Sequence, residues 1–154
     1  MKKIFYAIFI LFISSLAVFA DSSAEVDAKF ASYVNAANSY VSNLPDYYTK
    51  DAKIIRVVNK KTGGQKSIVI PFDRYVKELA TNAKLAKAVG YKNAYINRKI
   101  TKIDQNNYKV SATRVPRNDK TGLPSHFIFT KIDGTWKIKE ESMTTNVQAF
   151  LNAK

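Results

Sequence analysis

The chain has 154 residues, enough for one domain with its own core. It carries no cysteine, which excludes disulfides and thiolate metal sites. Lys+Arg number 25 against 12 Asp+Glu, a formal +13 that favours anionic partners or simply solubility.

Met1-Lys2-Lys3 precede a continuous apolar run, Ile4 to Ile13. Ser14-Ser15 then lower the hydrophobicity, and Val18 and Ala20 form a small-residue cleavage site before Asp21. The pattern predicts a Sec-type signal peptide over 1–20, cut after Ala20, and a single domain over 21–154 in the periplasm or outside the cell. A retained anchor is the competing reading, although Ile4 to Ala20 falls short of the ~20 residues a spanning helix needs. No stable membrane insertion is expected after cleavage. The charge is uneven, since 21 basic and 6 acidic residues lie between Lys50 and Lys139.

Ser22-x-x-Glu25 reads as a capping box ahead of a helix. Val26, Phe30, Tyr33, Val34, Ala37, Tyr40, Val41 and Leu44 recur at three- and four-residue steps and form one stripe. Pro45 is expected to end that helix. Pro45 to Asp51 reads as a turn or short second helix, and Ala52 to Val58 as the first strand. Asn59 to Gln65 is a loop before Ser67-Ile68-Val69-Ile70. Its Gly63-Gly64, flanked by Lys60, Lys61 and Lys66, lacks the spacing of a phosphate-binding loop and reads as a basic hairpin.

Pro71 suits a first helical turn, and Phe72, Tyr75, Val76, Leu79, Ala83, Ala86 and Val89 make the next stripe. Gly90 is its expected C-cap. Tyr91 to Ile103 and Tyr108 to Val115 form a long hairpin, with Ile103 expected opposite Tyr108. Arg114, Pro116, Arg117, Asp119, Lys120, Gly122 and Pro124 read as a positively charged loop.

Phe127 to Ile132 and Thr135 to Glu140 flank Asp133-Gly134, a strong two-residue hairpin signal. Strict alternation puts Phe127, Phe129, Trp136, Ile138 and Glu140 on one dry face, with Lys137, Lys139 and Glu141 on the other. The two striped helices are expected to roof the dry face. Val147, Phe150 and Leu151 are expected to dock the tail.

The order of elements resembles the nuclear transport factor 2-like (SnoaL-like) superfamily. The likeness is carried by Tyr47-Tyr48-Thr49-Lys50-Asp51-Ala52 leading into the first strand, by Phe72 opening the later helix, and by Ile132-Asp133-Gly134-Thr135-Trp136-Lys137-Ile138. It spans roughly residues 25–143 and implies an α+β fold, a curved antiparallel sheet forming a cone closed by N-terminal helices. Enzymes of this superfamily place an Asp, Glu or His in the cone's mouth beside a Tyr donor. The resemblance thus makes Glu140 the candidate catalytic acid/base. Tyr33, Tyr40, Tyr47, Tyr48 and Trp136 are candidate cavity-lining residues. His126 is the lone histidine and is expected outside the dry face. Asp46, beside Pro45, reads as a turn residue.

No cofactor or metal motif is present, and no nucleophilic triad. Three readings compete. The first is a secreted non-enzymatic binding or accessory domain, with an anionic envelope ligand or a small molecule as partner. The second is a small-molecule cavity enzyme, isomerase- or dehydratase-like, working through Glu140. The third is an envelope secretion-system component. Nucleic acid is disfavoured, since the basic residues fit no recognised nucleic-acid motif. Ile128 and Ile132 would permit a homodimer through the outer sheet.

Overall fold

The computed structural model describes residues 22–117 and 121–152. The signal-peptide expectation, its cleavage after Ala20, and Asp119 and Lys120 lie outside the described residues. Helix α1 spans Ser22–Asn38, and a 3-10 turn follows at Leu44–Tyr47. Strands β1 (Tyr48–Asn59) and β2 (Gln65–Ile70) lead to helix α2 (Phe72–Ala88). Strands β3 (Asn93–Lys102), β4 (Asn107–Pro116), β5 (Leu123–Ile132) and β6 (Thr135–Thr145) complete the sheet, and a 3-10 turn at Gln148–Asn152 ends the chain.

The sheet order is β2-β1-β6-β5-β4-β3. Every neighbouring pair is antiparallel except β1 and β6, which run parallel. The expected all-antiparallel sheet is therefore mixed, because β1 enters beside the last strand. The curved sheet is not closed, and α1 and α2 cover its inner face.

Helix α1 buries Val26, Phe30 and Tyr33 against that face. The Phe30 ring lies 5.0 Å from Phe127 and 5.3 Å from Tyr95. Phe127, Phe129, Ile54, Ile138 and Val110 are fully buried beneath it. Burying each such side chain stabilises the fold by ~1.5–3 kcal/mol.

Several boundaries differ from expectation: β5 begins at Leu123, so Leu123 and Pro124 are strand and not loop, and β6 runs on to Thr145. Helix α1 stops at Asn38, short of Pro45. Tyr40 takes a left-handed φ of 57°, with Tyr40 N–H bonded to Ala37 O and Val41 N–H to Ala36 O. That is the helix-ending motif glycine usually serves. Strand β1 begins at Tyr48, so the Tyr48–Asp51 stretch is strand. In the β3–β4 hairpin Lys102, not Ile103, sits opposite Tyr108, and a bulge with Asn97 at φ 54° lies within β3.

Candidate functional site

The β5–β6 turn pairs Ile132 with Thr135 and Phe129 with Ile138, as two-residue geometry dictates. The next pair is Ile128 with Glu140, so β6 carries one extra residue at Lys139. This bulge reverses the inward and outward sense of the strand beyond it. Phe127 now stands opposite Glu141, and Glu141, not Glu140, enters the core with zero exposure.

Glu140 lies outside, where its Oε1 is 3.2 Å from His126 Nε2. It borders a small outer hollow of about 310 Å³ with Asp51, Lys53 and Asp104. The inward orientation expected for Glu140 is thus corrected. Alternation failed because it presumes an unbroken ladder.

Three groups hold Glu141. Tyr33 donates its hydroxyl to Oε2 at 3.0 Å, and Tyr48 donates to the same oxygen. Tyr48 also bonds the Tyr33 hydroxyl at 2.9 Å and lies 3.3 Å from that of Tyr75. Arg56 Nη2 sits 2.8 Å from Oε1 in an ion pair. Burial, followed by the charge on Glu141, pushes the Tyr33, Tyr48 and Tyr75 phenols well above their usual range. They are hydrogen-bond donors at any physiological pH. Burial pulls Arg56 down, but the Glu141 carboxylate, with Tyr75 and Tyr48, more than offsets it and raises the guanidinium.

Above this cluster opens a cavity of about 960 Å³ between the sheet, α1 and α2. Val34, Ala37, Leu79 and Ala83 supply apolar walls, and Phe150 of the tail joins them. Arg56, Tyr95 and Arg114 line the sheet side. Arg114 belongs to β4 and is 6% exposed, so its expected place in a charged loop is also corrected. Strand β4 alternates buried and half-buried residues up to Pro116, which carries Arg114 inward with Val110 and Ala112.

The candidate lining residues divide. Tyr33 and Tyr40 face the cavity. Tyr48 lies behind its wall, in the Glu141 cluster. Tyr47 turns to Ser32, with its hydroxyl 2.7 Å from Oγ. Trp136 is buried at the far end of the sheet, where its indole N–H bonds Glu25 at 2.8 Å. Glu25 is thereby taken by Trp136 and Lys131 rather than by its own helix. Sequence reasoning missed Arg56, Tyr95, Arg114 and Glu141. The only available signal was charge placed among inward-facing strand positions.

The arrangement is that of the nuclear transport factor 2-like fold. No family model and no curated relative matches the chain. Solved structures do. One is described as an NTF-2-like protein of unknown function from Shewanella oneidensis, 14% identical, covering 81% of this chain and 100% of its own, at TM-score 0.59. A putative scytalone dehydratase from Novosphingobium aromaticivorans is 13% identical over 79% of this chain and 82% of its own, at TM-score 0.57. A protein of cystatin-like fold from Caulobacter vibrioides is 12% identical over 86% and 96%, at TM-score 0.60.

Proposed function

We propose that this chain is a secreted, non-enzymatic binding protein that holds a small, mainly apolar molecule in the cone. The observation that carries the reading is the cavity of about 960 Å³, apolar toward the helices and polar toward the sheet. Ligand sites of ~300–1,000 Å³ with a few fixed polar groups are the usual form. Glu141 is tied by Arg56 and two phenols and does not line the cavity wall, so it serves as scaffold. An isomerase- or dehydratase-like reading needs an acid or base on that wall. Glu140 lies on the outer face, and Glu78, at the rim, is paired with Arg74.

The test is binding of Nile red, a neutral apolar dye. It should bind the wild-type protein and brighten. Ala83→Trp, which fills the cavity from α2, should abolish binding while leaving the melting temperature within a few degrees. Absence of dye binding to the wild type, or undiminished binding to a folded Ala83→Trp, overturns the reading.

A further inference from the structure

The cavity's charge is not balanced by its own walls. Three charged side chains line it among the described residues: Arg56, Glu78 and Arg114. Arg56 is matched by Glu141 at 2.8 Å. Glu78 is matched by Arg74, also at 2.8 Å, and both are more than a third exposed. Among the described residues, Arg114 has no carboxylate partner. Its Nη1 donates to Asn93 Oδ1 at 3.1 Å and to the Tyr91 hydroxyl at 3.3 Å, and its Nη2 to Thr144 O at 2.8 Å. All three acceptors are neutral, and Nε has no acceptor. A guanidinium this buried is costly to hold without a counter-charge.

Beside it stands a second unsatisfied group. Tyr95 is the direct partner of Arg114 across the β3–β4 ladder, so their side chains share the inner face. Its hydroxyl makes no protein hydrogen bond among the described residues, although Tyr95 lines the cavity. Burial, and next the charge on Glu141, hold this phenol well above its usual range, so it stays an O–H donor. A cation and a neutral donor, side by side at the polar end of an apolar chamber, form a fork for one anionic head. The single uncompensated positive charge sets the ligand's charge at minus one.

Building on the cavity reading above, we propose that the ligand is an amphipathic monocarboxylate. Its carboxylate sits against Arg114 and accepts from Tyr95, and its apolar body lies along Val34, Leu79 and Ala83. The carboxylate supplies the counter-charge that the described residues do not. A charge-assisted hydrogen bond in such a site contributes ~1.5–3 kcal/mol, which is about tenfold or more in affinity.

The experiment compares decanoate, decanol, decyl phosphate and decyltrimethylammonium as competitors of bound Nile red. Decanoate should displace the dye at a concentration at least about tenfold below decanol, and the ammonium should be weakest. Arg114→Met should bring decanoate down to the level of decanol while decanol itself changes by less than about twofold. Tyr95→Phe should cost decanoate about threefold and decanol nothing. Equal displacement by decanoate and decanol overturns the proposal, as does an unchanged decanoate affinity in Arg114→Met. Tighter binding of decyl phosphate overturns the carboxylate class. If Arg114→Met does not fold, the wild-type decanoate-to-decanol ratio and Tyr95→Phe decide. Nile red and decanol binding without a preference for decanoate sinks this proposal alone. Failure of the Nile red test with Ala83→Trp sinks the cavity reading beneath it.

Discussion

Glu141 shows how one buried charge organises several side chains. Its carboxylate accepts from Tyr33 and Tyr48 and faces Arg56, so removing it strands a guanidinium and two phenols together. Breaking a buried pair from one side costs ~3–5 kcal/mol. Glu141→Leu should lose about that much in urea unfolding. Arg56→Met combined with Glu141→Leu should recover part of the loss, because no lone charge remains. A double variant less stable than Glu141→Leu would show that the pair itself, and not the uncompensated cation, supplies the stability. Glu25 works at the surface. The Trp136 indole N–H, then Lys131, hold its carboxyl below the ordinary 4.5. A depressed acid contributes stability that is complete above the unfolded value and is lost as pH falls through the folded one. Trp136 is the only tryptophan, so its fluorescence reports this contact directly. From pH 5 downward past 4.5, the melting temperature of the wild type should fall more steeply than that of Glu25→Gln. Parallel slopes would mean that the fold does not depress the Glu25 carboxyl.

Elements whose ends are marked by residue type were legible, and those whose ends are set by tertiary contact were not. Asp133 and Gly134 take φ values of 47° and 75°, as their turn requires, and the hairpin starts in the expected register. Gly90, at φ 60°, ends α2 where a glycine announces it, with Tyr91 N–H bonded to Ala86 O. Tyr40 performs the same task for α1, but a tyrosine carries no such signal. Here Asn38, exchanging two 2.9 Å bonds with the Asn93 backbone, secures the helix end against β3. The Lys139 bulge was equally silent, and it alone moved the buried acid from Glu140 to Glu141. Of the two helices, α2 is the less tied to the core. Tyr75 is its one buried residue, and Leu85 stays 65% exposed beside the cavity. Few buried apolar contacts mean low local stability. Amide exchange over residues 79–88 should therefore be faster than over β5 and β6, and saturating Nile red or decanoate should slow it. Unchanged exchange on saturation would show that the ligand does not touch α2.

Over the whole molecule, two kinds of positive charge must be kept apart. Lys53 and Lys109 stand on the outer side of the sheet, each between two inward-facing residues, and with the exposed Lys139 of the bulge they contribute to the formal +13. Arg114 lies on the inner side under protein. Salt screens exposed charges over ~30 Å at 0.01 M and ~8 Å at 0.15 M, and it screens buried ones much less. Adsorption to phosphatidylglycerol vesicles, driven by the outer lysines, should weaken more than about tenfold between those salt concentrations. Decanoate binding should weaken by no more than a few-fold, since its carboxylate meets Arg114 away from bulk ions. Sedimentation with vesicles and dye displacement, run in the same two buffers, separate the two effects. A parallel collapse of both would place decanoate on the lysine face and leave Arg114 without its counter-ion. Divergence would assign the anion-recognising charge to the interior and leave the outer charge to solubility and encounter.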